Sequence, residues 1–154
     1  MRIITLNANG IRSAQRKGFF EWMARQDADV VCVQETKAQR DQLGDPAFHP
    51  AGYHCHYVDA EKKGYSGVGI YSRQTPDRII EGFGNAEFDA EGRYLQADFG
   101  KLSVVSLYLP SGSSSDERQQ AKFRFLDQFR PPDAQFSPLA FAARGGLLID
   151  TTSL

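Results

Sequence analysis

Two short β-branched runs on either side of a segment with helical period constrain this fold more than any other feature of the chain. Ile3-Ile4-Thr5-Leu6 leads into Asn7-Ala8-Asn9-Gly10, which is turn-type sequence, so the pair reads as a buried strand ending in a loop. Phe19, Phe20, Met23 and Ala24 then recur at helical spacing, with Trp22 beside them, before the continuous apolar run Val30-Val31-Cys32-Val33. Strand, helix and strand in this order make a βαβ unit, whose strands are expected to be parallel and buried on both faces.

Beyond it a short helix is expected near residues 38–43, followed by short strands separated by turns. These are 53–57, 68–72, 78–80, 94–99 and 102–109, the last two joined by a tight connection at Gly100-Lys101. Ser111 to Ser115 is a serine-rich turn. Ser114 followed by Glu117 has the capping-box pattern, and the helix it starts, 116–129, is expected to bury Phe125, Leu126 and Phe129. Pro131-Pro132 stops that helix. Residues 131–154 show no clear period except in Leu147-Leu148-Ile149, so the organised domain is expected to cover 1–130.

Composition sets the class without choosing the function. The 154 residues, 41% of them hydrophobic, suffice for one soluble domain with a core. The formal net charge is −1, yet Arg12, Arg16, Lys17, Lys37, Arg40, Lys62, Lys63 and Arg73 all fall in the first half. Such a distribution can present a local basic face to phosphates, although scattered loop cations also serve only to solvate a surface. Cys32 and Cys55 lack C-x-x-C spacing and read as free thiols of a reducing compartment. The chain opens on a strand-like segment rather than a leader pattern, and no stretch reaches the roughly 20 apolar residues of a membrane span. A cytoplasmic protein without a membrane partner is expected.

The chemistry-bearing residues lie at strand ends. Ligands of α/β sheets sit at the carboxyl ends of parallel strands, and Asn7 and Glu35 occupy two such ends. A carboxylate with a nearby amide is hard-oxygen chemistry suited to Mg²⁺, while a turn cap and a solvent-facing Glu explain the pair equally well. Tyr108 closes the last strand and could donate to a phosphate, or simply keep a wet hydroxyl on a buried ring. Lys62-Lys63-Gly64-Tyr65 mixes basic and aromatic residues in one loop, which suits either a nucleic-acid backbone or a solvated hairpin tip. His49, His54 and His56 have no evident third partner and read as structural or surface residues rather than zinc ligands.

Taken in order, Asn7-Ala8-Asn9-Gly10-Ile11-Arg12, Gln34-Glu35-Thr36-Lys37, Gly64-Tyr65-Ser66-Gly67-Val68, Glu91-Gly92-Arg93 and Tyr108-Leu109-Pro110-Ser111-Gly112 resemble the motifs of the endonuclease/exonuclease/phosphatase superfamily. Within it they are closest to the exonuclease III group of abasic-site endonucleases. The resemblance implies the N-terminal half of a four-layer α/β sandwich, two face-to-face mixed sheets flanked by helices, with one sheet and its helices largely present. It implies a Mg²⁺ or Mn²⁺ site to which Asn7 and Glu35 contribute, a phosphate-contacting Tyr108, and hydrolysis of DNA phosphodiesters at abasic sites or duplex 3′ ends. Arg12, Lys37, Lys62, Lys63 and Tyr65 would contact the DNA backbone, and Arg93 would stand behind Tyr108. The group's later motifs, Gly-Asp-x-Asn and Ser-Asp-His, are not found here, so residues 131–154 read as an unrelated tail of the kind a frameshift leaves. An inactive or impaired chain is then expected, with an uncovered apolar sheet face that drives self-association. The alternative is a non-catalytic regulator resembling the catabolite repression control proteins, in which the matching Glu and Tyr look replaced. Here both are retained.

Overall fold

The computed structural model describes residues 1–112 and 115–129 together with the backbone of 139–143 and 146–150. The βαβ unit forms as expected. Strand β1 (Ile3–Asn7) pairs in parallel with β2 (Val30–Gln34) from Ile3↔Val30 to Asn7↔Gln34. Between them lie α1 (Ile11–Arg16), which the apolar period alone does not reveal, and α2 (Phe19–Ala24). Strands β3 (His54–Val58) and β4 (Val68–Ser72) complete a sheet of order β1-β2-β4-β3. The helix expected at 38–43 is a 3-10 turn over Arg40–Leu43.

The second sheet is built from β5 (Arg78–Glu81), β6 (Tyr94–Phe99) and β7 (Leu102–Leu107), all antiparallel, with α3 (Ala86–Asp89) between β5 and β6. Helix α4 (Asp116–Gln128) follows. Strand β8 (Leu139–Ala143) runs parallel to β7, and β9 (Gly146–Asp150) is antiparallel to β8, giving the order β5-β6-β7-β8-β9. In this region a strand is expected only at Leu147-Leu148-Ile149, which lies within β9.

Alternation along the strands explains the layering, because successive side chains point to opposite faces. On β2, Val30 and Cys32 face the second sheet and meet Leu95, Ala97 and Val104, while Val31 and Val33 pack under Ile11, Phe19, Phe20 and Met23 of the helices. On the far side, Tyr94, Val105 and Leu107 meet Phe83, Phe88 and Phe125. Three apolar seams therefore join four layers, helix, sheet, sheet and helix. Gln34, fully buried, links the two sheets with polar contacts: its Nε2 donates to Thr5 Oγ1 at 3.1 Å and to Ser106 Oγ at 3.3 Å. Ser106 Oγ in turn donates to the Val33 carbonyl at 3.0 Å. Such satisfied buried groups fix register as well as distance.

Two sheets packed face to face between helices are the architecture expected, and details within it change. The inner face of the first sheet is not left open, because β6 and β7 pack on β2 and β4. Among the described residues, the exposed large hydrophobics are Met1, Leu6, Phe123 and Leu126, and none lies between the sheets. The cap of α4 is Ser115, whose side chain accepts from the Arg118 N–H, whereas Ser114 falls outside the described residues. Leu126 is 51% exposed, so the buried face of that helix rests on Phe125, with Phe129 packed alongside. Phe125→Ala should therefore lose about 3–5 kcal/mol in denaturant unfolding. Phe123→Ala, two residues away on the exposed face, should stay within about 0.5 kcal/mol.

Candidate active site

The ends of β1 and β2 carry the loops that hold the candidate residues. After β2 the chain turns sharply, and Glu35 and Lys37 both take left-handed conformations, with φ of 54° and 51°. For residues with a Cβ this backbone costs about 1–2 kcal/mol each, so neighbouring backbone must hold it. Gly10 N–H donates to the Glu35 carbonyl at 2.8 Å and Ile11 N–H to that of Thr36 at 2.9 Å. From the other side, Thr36 N–H donates to the Gly67 carbonyl at 3.1 Å and Lys37 N–H to that of Ser66 at 2.8 Å. The loop after β2 is thus laced between those after β1 and before β4. Gly67 is required there: its φ is 85°, and a Cβ would come within 2.2 Å of Thr36 Oγ1.

This lacing brings the carboxylate to the expected partners. Asn7 Nδ2 donates to Glu35 Oε1 at 2.7 Å, and Asn7 Oδ1 accepts from the Asn9 N–H at 2.9 Å. The Lys37 ammonium lies 3.3 Å from Glu35 Oε2 and donates to Asn9 Oδ1 at 2.6 Å. Tyr108, just past β7, sends its side-chain hydrogen bond to Glu35. Burial pushes the Glu35 carboxyl up, but the bonds from Asn7 and Tyr108, with the bond and charge of Lys37, outweigh it and hold it below the ordinary 4.5. Glu35 is therefore ionised at neutral pH. An ionised carboxylate with an adjacent amide fits a hard divalent cation, and the Lys37 ammonium already marks that carboxylate as a place for positive charge. Among the described residues no three His, Cys, Asp or Glu side chains converge to form a larger cluster.

Next to this centre lies a cleft of about 350 Å³ whose wall includes Tyr65, Glu91, Arg93, Tyr108, Arg118 and Arg124. Arg93 is buried and joins Tyr65 to Tyr108. Lys62 Nζ stands 5.3 Å from the centre of the Tyr65 ring, while Lys63 at the loop tip and Arg12 on α1 are exposed. The structure thus gathers Asn7, Glu35, Lys37 and Tyr108 into one cluster and sets Arg93, Tyr65 and Lys62 beside it. His49 bonds the Leu43 carbonyl at 2.7 Å and His54 meets the Thr75 hydroxyl at 3.0 Å, the structural and surface roles expected of them.

The sequence profile of the endonuclease/exonuclease/phosphatase family matches residues 4–141. The chain belongs to this family. Among its relatives is the exodeoxyribonuclease of Bacillus subtilis, 39% identical over 119 residues, an overlap of 77% of this chain and 46% of that protein. A DNA-(apurinic or apyrimidinic site) endonuclease of Dictyostelium discoideum is 33% identical over 74% of this chain and 31% of its own length. The catalytic domain of Xenopus laevis APE2 superposes with a TM-score of 0.75 at 30% identity, covering 93% of this chain and 57% of that domain. The chain therefore spans about half the length of the family members it matches, or less. No described helix is long and apolar enough to cross a membrane.

Sequence reasoning missed how the family motifs are joined: the Asn9–Lys37–Glu35 bridge and the left-handed Glu35. Asn-Gly at 9–10 and Ser-Gly at 66–67 were the available signals, since both dipeptides favour positive φ. Because the Glu35 carboxyl is lowered in the folded state, its contribution to stability is full above the ordinary value of 4.5 and is lost as pH falls through its lowered value. Urea midpoints of the native chain and Glu35→Gln should therefore differ at pH 7 and converge below pH 4.5. A constant difference across that range would contradict this assignment.

Proposed function

We propose that the Asn7–Glu35–Tyr108 cluster is the metal- and phosphate-holding part of a DNA phosphodiester hydrolase. The reaction is that of an exodeoxyribonuclease III-like enzyme, 3′–5′ exonuclease or abasic-site endonuclease, in base excision repair in the cytoplasm. The observation that carries this reading is the convergence on one ionised carboxylate, at the end of a parallel strand, of an amide, an ammonium and a phenol. The names of the relatives point the same way.

In this mechanism Glu35, with the Asn7 amide, would hold Mg²⁺ or Mn²⁺. The bound ion supplies Lewis-acid stabilisation of charge on the phosphoryl oxygens. With the Glu35 carboxylate taken up by the ion, Tyr108 would turn its single phenolic hydrogen from Glu35 to a phosphoryl oxygen, where a preplaced donor is most effective as charge develops. Asn7 holds the Glu35 carboxylate in place through its N–H, and Lys37 balances its charge in the resting site. Exposed Arg12, Lys62 and Lys63 and the Tyr65 loop track the DNA backbone. The retained pairing of Tyr108 with Glu35 favours this reading over a regulator that has given up its metal and phosphate residues.

Activation of the attacking water needs a base, and among the described residues no group of three or more His, Cys, Asp or Glu side chains gathers to supply one beside a metal. The impaired activity of this chain by itself belongs to the same proposal. The test is a duplex carrying an abasic-site analogue, incubated with the chain and Mg²⁺. Binding followed by fluorescence anisotropy should weaken with salt, and Lys62→Ala/Lys63→Ala should reduce the log–log salt slope by about 2. Incision should not rise above the protein-free control. Glu35-dependent incision by the chain alone would overturn the incomplete-site reading, and salt-independent or undetectable binding would overturn the DNA reading.

A further inference from the structure

The geometry points to Arg93 as a positioning residue that clamps Tyr108 against Glu35 and ties it to Tyr65, so that the phosphate-facing phenol and the DNA-facing loop move as one unit. The inference rests on the reading of Tyr108 as the phosphate donor, but its test does not require activity. Both main-chain polar groups of Tyr108 end on Arg93: Tyr108 N–H donates to the Arg93 carbonyl at 2.9 Å, and Arg93 Nη1 donates to the Tyr108 carbonyl at 3.0 Å. Arg93 Nη2 donates to the Tyr65 hydroxyl at 2.7 Å, and Nε pairs with Glu91. The guanidinium carbon lies 5.1 Å from the Tyr108 ring centre and 5.7 Å from that of Tyr65.

Neutralising a buried cation would need Glu91 alone. The remaining contacts use the planar, forked shape of the guanidinium to fix two phenol-bearing residues at once, which an ammonium cannot do. The preceding residue delivers Arg93 to this position: Gly92 has φ of 58°, and a Cβ there would lie 2.6 Å from the Asp59 carbonyl, so only glycine lets the turn press so closely on that strand end.

The test labels the six tyrosines of the full chain with 3-fluorotyrosine and reads their ¹⁹F resonances, assigning Tyr65 and Tyr108 with Tyr65→Phe and Tyr108→Phe. In Arg93→Met the Tyr65 and Tyr108 signals should move while the remaining tyrosines stay within a linewidth. Arg93→Lys, able to make one contact set but not both, should restore the Tyr108 signal and leave Tyr65 displaced. A Tyr108 signal unmoved in Arg93→Met, or movement of all the tyrosines together in both variants, would overturn the proposal. If Arg93→Met does not fold, Arg93→Lys decides: Tyr65 displaced with Tyr108 retained supports the clamp, and any other pattern overturns it. Failure to bind DNA would leave these signals untouched, so the two readings can fail separately.

Discussion

Glu35 sits in a left-handed conformation that an L-residue adopts only under constraint, and the rest of the site depends on how that conformation is held. Four backbone hydrogen bonds, two from the loop after β1 and two to the loop before β4, stabilise the turn against its strain. The same bonds bring three loops to one point. Asn7 can reach the carboxylate only because β1 and β2 are parallel and adjacent with Asn7 opposite Gln34, which ends both strands at the same level. An antiparallel pair would carry the two ends to opposite edges of the sheet.

The second sheet adds Tyr108 to this arrangement. Its height over the first sheet is set by apolar packing of Leu95, Ala97 and Val104 on Val30, Cys32 and Ile70, and its register along the strands by the buried Gln34–Ser106 link. Ser106 is two residues before Tyr108, so a polar contact in the core fixes where the phenol emerges. Dispersion and burial hold the layers together without direction. The few directional bonds between the sheets then specify which residues meet at the edge. Burial in the same seam pushes the Cys32 thiol well above its ordinary value, which keeps that cysteine a packing residue rather than a reactive one.

The βαβ unit, the hairpin of β6 and β7 and helix α4 were legible because each carries a local signal: apolar runs of the right length, a Gly-containing turn, and an apolar period with a serine cap. The candidate residues were legible for a related reason, since Asn7, Glu35 and Tyr108 stand at strand ends where loops begin. What could not be read was non-local. That β5–β7 close over the first sheet instead of extending it follows from which faces meet, and the period of a strand does not say which sheet it joins. The bridge from Lys37 through Asn9 to Glu35 and the clamp of Arg93 on Tyr65 span 28 residues of sequence each. Leu126 shows the converse error, an apolar residue at helical spacing that stays exposed because Phe125 already fills the seam.

Under the proposed function Glu35, held by Asn7 and paired with the Lys37 ammonium, would be a site for a divalent cation. Titration of the chain with Mn²⁺, followed by the loss of its free-ion EPR signal, tests this most directly. One saturable site is predicted, weakened by at least tenfold in Glu35→Gln and competed by Mg²⁺. Saturable binding of equal affinity in Glu35→Gln, or no binding by the folded native chain, would contradict it.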